Sequence, residues 1–128
     1  MSPQQEFFIA VRQVAIEVMG EGNVYDYIPP SVVDYPFIYI GEQFTEDEIT
    51  KTTQVPTVNQ TLHLYTDNWK KRGSANKKLF EIAQKVRELK NTKSYYLDIG
   101  QITYRCLEDH TTKKPLLHMI LEVEAKLF

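Results

Sequence analysis

Three histidines, one cysteine, a run of acids and a run of bases are the side chains from which chemistry could be built in this chain. His63 and His118 each fall inside an alternating apolar stretch, while His110 falls in a polar segment. Two strand histidines facing each other across a sheet could act as an acid–base couple or as metal ligands, because imidazole changes charge near neutral pH. The plainer reading is a pair of solvated strand histidines. No H-E-x-x-H spacing occurs, and the single Cys106 falls short of the several thiols that a zinc site takes. Cys106 shares a parity with Ile102 and Tyr104, which fits a small buried hydrophobe better than a nucleophile. Glu46, Asp47 and Glu48 are adjacent rather than alternate, so they lack the ligand spacing of a calcium loop and read as a solvated segment. There is no G-x-S-x-G, no P-loop and no G-x-G-x-x-G. The residues therefore predict no catalytic, cofactor or metal site, and no enzyme.

The charges carry more information than the nucleophiles. Trp69, Lys70, Lys71 and Arg72, followed by Lys77 and Lys78, set bases beside an aromatic as a nucleic-acid footprint does. With a formal net charge of -2 over the whole chain, a solvated turn and outer helix face is the plainer reading. The acidic segment 42–48 and the basic segment 70–78 together could dock head to tail between copies, and contacts of that kind close into rings when the rotation allows.

These groups must be positioned by elements that the apolar pattern predicts. Ser2, Pro3 and Gln5 form a helix start, and Phe7, Val11, Val14, Ala15 and Val18 give residues 3–19 one apolar stripe, ended by Gly20 and Gly22. Residues 24–28 read as a short strand stopped by Pro29 and Pro30. Residues 37–40 are apolar on both parities, as in a strand covered on both faces or lying at a subunit contact. Residues 43–56 show little periodicity and read as a long loop or extended arm. Residues 57–66 alternate and are expected to pair antiparallel with 37–40. Ser74 reads as the cap of a second helix bearing Leu79, Ile82, Ala83, Val86 and Leu89. The strand region 95–106 changes parity at Gly100, which predicts a bulge or tight bend, and residues 108–115 read as a hairpin loop. Residues 117–127 alternate most clearly. The order predicts an α+β fold, a mainly antiparallel β-sheet with two α-helices packed on it.

At 128 residues, with 42% hydrophobic and 25% charged side chains, the chain is expected to be one domain, 1–128, with an ordinary core. The lone cysteine suits a reducing compartment, and neither a signal sequence nor a membrane-length apolar run is present, so synthesis and folding in a cytoplasm are expected.

Val24-Tyr25-Asp26-Tyr27-Ile28-Pro29, followed by Tyr35-Pro36-Phe37-Ile38-Tyr39-Ile40-Gly41-Glu42, resembles the small tail-terminator and tail-completion proteins of long-tailed bacteriophages and prophages. Thr61-Leu62-His63-Leu64-Tyr65-Thr66, the helix near residues 75–89 and the closing strand 116–125 extend the resemblance over nearly the whole chain. The resemblance implies a structural virion protein at the head-proximal end of the tail, assembled in the host cytoplasm. Such a protein forms a ring, usually hexameric, that caps the tube, stops its polymerisation and joins the head-side connector. Its partners would be copies of itself, the major tail tube protein and the connector or completion protein, while DNA passes through the bore without specific binding. No membrane and no cofactor enter. The subunit or tube interface would draw on Phe37, Tyr39, Phe44, Glu46, Asp47, Glu48, Ile49, Lys51, Trp69, Lys70, Lys71 and Arg72. A head-completion or stopper protein is the alternative from the same assembly, and a small nucleic-acid-binding domain the alternative from another class.

Overall fold

A computed structural model of the chain describes residues 1–29, 33–49 and 54–128, the side chains of Glu48 and Gln54 excepted. Helix α1 (Pro3–Met19) begins as its sequence predicts: the Ser2 hydroxyl accepts from the Gln5 amide at 3.2 Å, and Pro3 occupies a first-turn position where no N–H is needed. It ends at Gly20, whose φ of 90° is the left-handed region that a side chain makes costly. The following strand, β1 (Val24–Tyr25), is shorter than the expected 24–28. Its end is tied back to α1 by Arg12 and Asp26 at 2.7 Å.

Strands β2 (Phe37–Ile49) and β3 (Gln54–Thr66) correct the expectation for residues 43–56. Residues 43–49 and 54–56 are strand rather than loop or free arm, and the part of that expectation that falls on 50–53 lies outside the described residues. Backbone pairing runs on from Gln43↔Gln60 to Ile49↔Gln54, so the long strands form one hairpin. The alternation is hidden in the sequence because the ladder shifts register between Ile40 and Gln43, and a bulge reverses the parity of every residue after it. Acidic residues disfavour strands, but the exposed positions of a two-stranded ribbon tolerate them when the partner strand is set by its own core residues.

Helix α2 (Arg72–Arg87) begins two residues before the predicted cap. Ser74 is inside the helix. Asn68 does the local capping instead, its side chain accepting from the Lys70 amide at 2.9 Å and opening the 3-10 turn Trp69–Lys71 that leads into α2. Strand β4 (Leu97–Asp109) carries the expected irregularity, a register shift between Ile99 and Ile102, and pairs antiparallel with β5 (Leu116–Leu127).

The five strands lie in the order β1-β2-β3-β5-β4, with only β1 parallel to its neighbour. The architecture is α+β. Both helices cover one face of the sheet. Phe7, Val11 and Ala15 of α1 and Leu79, Ile82 and Val86 of α2 meet Ile38, Ile40, Leu62, Leu64, Met119, Leu121 and Val123 in a fully buried core. Among the described residues, no helix is long and apolar enough to cross a membrane.

Candidate functional site: the helix-free face of the sheet

The other face of the sheet has no helix over it, yet its centre is closed. Strand alternation puts Phe37, Tyr39, His63, Tyr65, His118 and Ile120 there, and His63, Phe37 and Ile120 are nonetheless buried. They are covered by each other's rings. Tyr65 stacks on Phe37 at 5.3 Å and on His118 at 4.2 Å, and Tyr39 stacks on His63 at 5.2 Å. Tyr25 and Tyr35 extend the row from Phe37. Residues 37–40 are thus covered on both faces as expected, by helices on one side and by an aromatic layer on the other.

At the centre of this layer three side chains form a line. His63 Nε2 lies 2.5 Å from a carboxylate oxygen of Glu42, and His63 Nδ1 lies 2.7 Å from His118 Nε2. With ring centroids 4.9 Å apart, the histidines meet edge-on, nitrogen to nitrogen, rather than in a face stack. The chemistry of the line fixes the protons. Ionised Glu42 can only accept, so His63 donates from Nε2, and neutral His63 then accepts from His118 at Nδ1. The hydrogen bond from His63 holds the Glu42 carboxyl below the ordinary carboxylate pKa, against the effect of its partial burial. Burial pushes His118 below the ordinary histidine value; the His63 charge adds to this, and Asp109 and Glu42 oppose it. The expectation of solvated strand histidines is corrected: His63 is 9% exposed.

The bulge builds this line. A Cβ at position 41 would lie 2.8 Å from the His63 ring, so Gly41 is what lets the imidazole lie against the backbone. The irregularity brings the carboxylate of Glu42, a largely exposed side chain, onto His63. Its carbonyls are held from the helix side by Gln60, fully buried, whose amide donates to Gly41 O at 3.2 Å and to Glu42 O at 3.3 Å. Gln43 then donates to Gln60 at 2.9 Å and to the Gln4 carbonyl of α1 at 3.0 Å. A continuous polar thread thus passes through the sheet from α1 to His118. Gln60 drew no attention in the sequence; its one signal is an amide on the apolar parity of β3.

The predicted interface residues fall in three places. Phe37 and Tyr39 belong to the aromatic layer. Phe44, Glu46, Asp47 and Ile49 are on the outer half of the β2–β3 hairpin, where Phe44 is 58% and Ile49 83% exposed. Glu48 pairs there with Val55 through its backbone, and Lys51 lies outside the described residues. Trp69, Lys70, Lys71 and Arg72 are at the opposite end of the sheet, in the turn after β3 and at the start of α2. The remaining charges also separate by layer. The helix-free face carries Glu42, Asp98, Asp109, Glu122 and Glu124 against Arg105 and Lys126, whereas α2 carries Arg72, Lys77, Lys78, Lys85 and Arg87 against Glu81. Among the described residues no group of three or more His, Cys, Asp or Glu side chains is arranged to hold a metal ion.

No protein-family model matches the chain, and no curated protein matches it. Among solved structures, a chain from the virion of a native gene transfer agent particle superposes with a TM-score of 0.61, covering 98% of this chain and 94% of that one at 17% identity. The fold is shared. The superposition extends over nearly the whole of this chain.

Proposed function

We propose that this chain is a structural component of a phage-like virion, a tail-terminator protein that forms a ring on the finished tail tube, stops its growth and offers a surface to the head connector. The observation that carries the reading is the whole-chain fold likeness to a protein of a gene transfer agent virion, taken with the resemblance of residues 24–42 to tail terminators. Two further features support it. The line of Glu42, His63 and His118 is wrapped in aromatic rings, which is the construction of a packed surface rather than a reaction centre. The acidic helix-free face suits a bore past which DNA slides without being held.

The test is deletion of the gene from the particle that encodes it, with negative-stain imaging of the products. Tails of irregular, extended length and separate heads are the expected outcome. Tails of normal length that fail to join heads would assign the chain to head completion instead, and normal, joined particles would overturn the virion role.

A further inference from the structure

We propose that the cavity where the start of α1 meets the turn before β4 binds a primary alkylammonium group, with the Glu6 carboxylate as its counter-ion and apolar residues of α1 along its stem. The site is independent of the virion role. The cavity, of about 360 Å³, is lined by Met1, Glu6, Ile9, Ala10, Lys93 and Ser94. That volume lies at the small end of the ~300–1,000 Å³ range of ligand pockets. Among the described residues Glu6 is the only buried acid, at 5% exposure.

The two oxygens of Glu6 are used unequally. Oε1 accepts from the Thr92 hydroxyl and the Ser94 amide, both at 2.8 Å, and so ties α1 to the turn before β4. Among the described residues none donates to Oε2, although that oxygen is closed off from solvent. A buried carboxylate oxygen without a donor is costly, and the structural tie uses Oε1 alone. Burial acts to raise the pKa of this carboxyl, but the hydrogen bonds from Thr92 and Ser94 outweigh it and hold the group below the ordinary value, so it is anionic at neutral pH. The cavity thus sets one negative oxygen beside the apolar surface of Ile9, Ala10 and Met1.

This arrangement selects among cations. A calcium or magnesium ion takes about six or more oxygens, and among the described residues no group of three or more His, Cys, Asp or Glu side chains could hold one. A guanidinium pairs best as a fork on both oxygens of a carboxylate, and Oε1 already accepts two bonds. A primary ammonium is a compact charge on a flexible stem. It can satisfy Oε2 alone while its methylenes lie on Ile9 and Ala10. Met1 and Lys93 are exposed, unbranched side chains of the same cavity and can turn aside to admit it.

The test titrates the full chain at pH 7 with pentan-1-amine, and with pentan-1-ol as its neutral counterpart. The Ser94 amide, which bonds to Glu6, is followed in proton–nitrogen correlation spectra. The amine is expected to give a saturable shift and to bind at least ~10-fold tighter than the alcohol, as a charge-assisted bond requires. Glu6→Gln keeps an acceptor for Thr92 and Ser94 but removes the charge, so it should abolish that preference while far-UV circular dichroism stays native. Ala10→Leu leaves the carboxylate in place and narrows the cavity. It should weaken amine binding by a similar factor, and it carries the test alone if Glu6→Gln does not fold. Nα-acetyl-lysine N-methylamide distinguishes the sources of the ammonium: binding as tight as that of pentan-1-amine assigns the site to a lysine of another protein, and its exclusion assigns the site to free amines. A wild-type chain without a saturable shift overturns the proposal, as does amine binding that survives both substitutions. Binding by Lys93→Met but not by the wild type also overturns it, because Lys93 would then be the partner of Oε2.

Discussion

At the scale of single residues, the centre of the helix-free face depends on one missing side chain. A methyl group at position 41 would lie within 2.9 Å of two atoms of the His63 ring, and that ring is clamped by Tyr39 and His118. Gly41→Ala is expected to destabilise the domain by ~1–3 kcal/mol, as overpacking does. The double variant Gly41→Ala/His63→Ala should lose less than the sum of the two singles, which urea unfolding of the four proteins measures. The histidine line also predicts a pH dependence. The folded pKa of His118 lies below its unfolded value, so at pH below about 6.5 the unfolded chain takes up a proton that the folded one resists. Glu42 is shifted in the lowered direction for an acid, so its contribution is likewise lost as pH falls, through the acid range. Stability should therefore decline from pH 7 toward pH 5, and His118→Gln should flatten the upper part of that decline in thermal melts; an unchanged profile would refute the assignment.

At the scale of elements, the legible parts were those with an unbroken period. α1 and β5 each show one regular stripe, and both occupy nearly the residues that the stripe predicts. Where a local device interrupts the period, reading failed. The bulge at Gly41 and Glu42 hid seven further residues of β2, 43–49, and a capping role for Asn68 was masked by Ser74, a better-looking cap further on. The bulge at Gly100 was legible because strong apolar residues stand on both sides of it, whereas the residues after Gly41 are mostly polar. The site was legible only in part: the facing histidines were foreseeable from alternation, but Gln60 and Glu42 act through a register shift that no local pattern announces. The element boundaries make a sharp prediction. Ser74→Ala should change stability by less than ~0.5 kcal/mol, or raise it slightly, because alanine is the better residue inside a helix. Loss of a true cap would cost ~1 kcal/mol, and a loss of that size in urea denaturation would restore Ser74 to the terminus.

At the scale of the whole molecule, one apolar core lies between two helices and one face of one sheet, and the polar thread from Gln4 to His118 crosses that sheet. Both helices and the sheet share this core, so unfolding of the described elements is expected to be a single cooperative transition. Far-UV circular dichroism, reporting the backbone, and the fluorescence of Trp69, in the turn that leads into α2, should give coincident urea curves; curves separated along the axis would mean that this end of the sheet unfolds on its own. The distribution of charge has a different consequence, for encounter rather than for folding. A chain acidic on its sheet face and basic along α2 is expected to meet a charged partner in a preferred orientation, with an association rate that falls as salt rises.

The fully buried Gln60 amide, bonded to both bulge carbonyls, also bears on how this chain can diverge. A substitution at position 41, 60 or 63 taken alone leaves a clash, an unanswered carbonyl or an unanswered carboxylate, so each closes the mutational path unless another opens with it. Descendants should therefore carry these three positions as an inherited set, exchanged together or kept together.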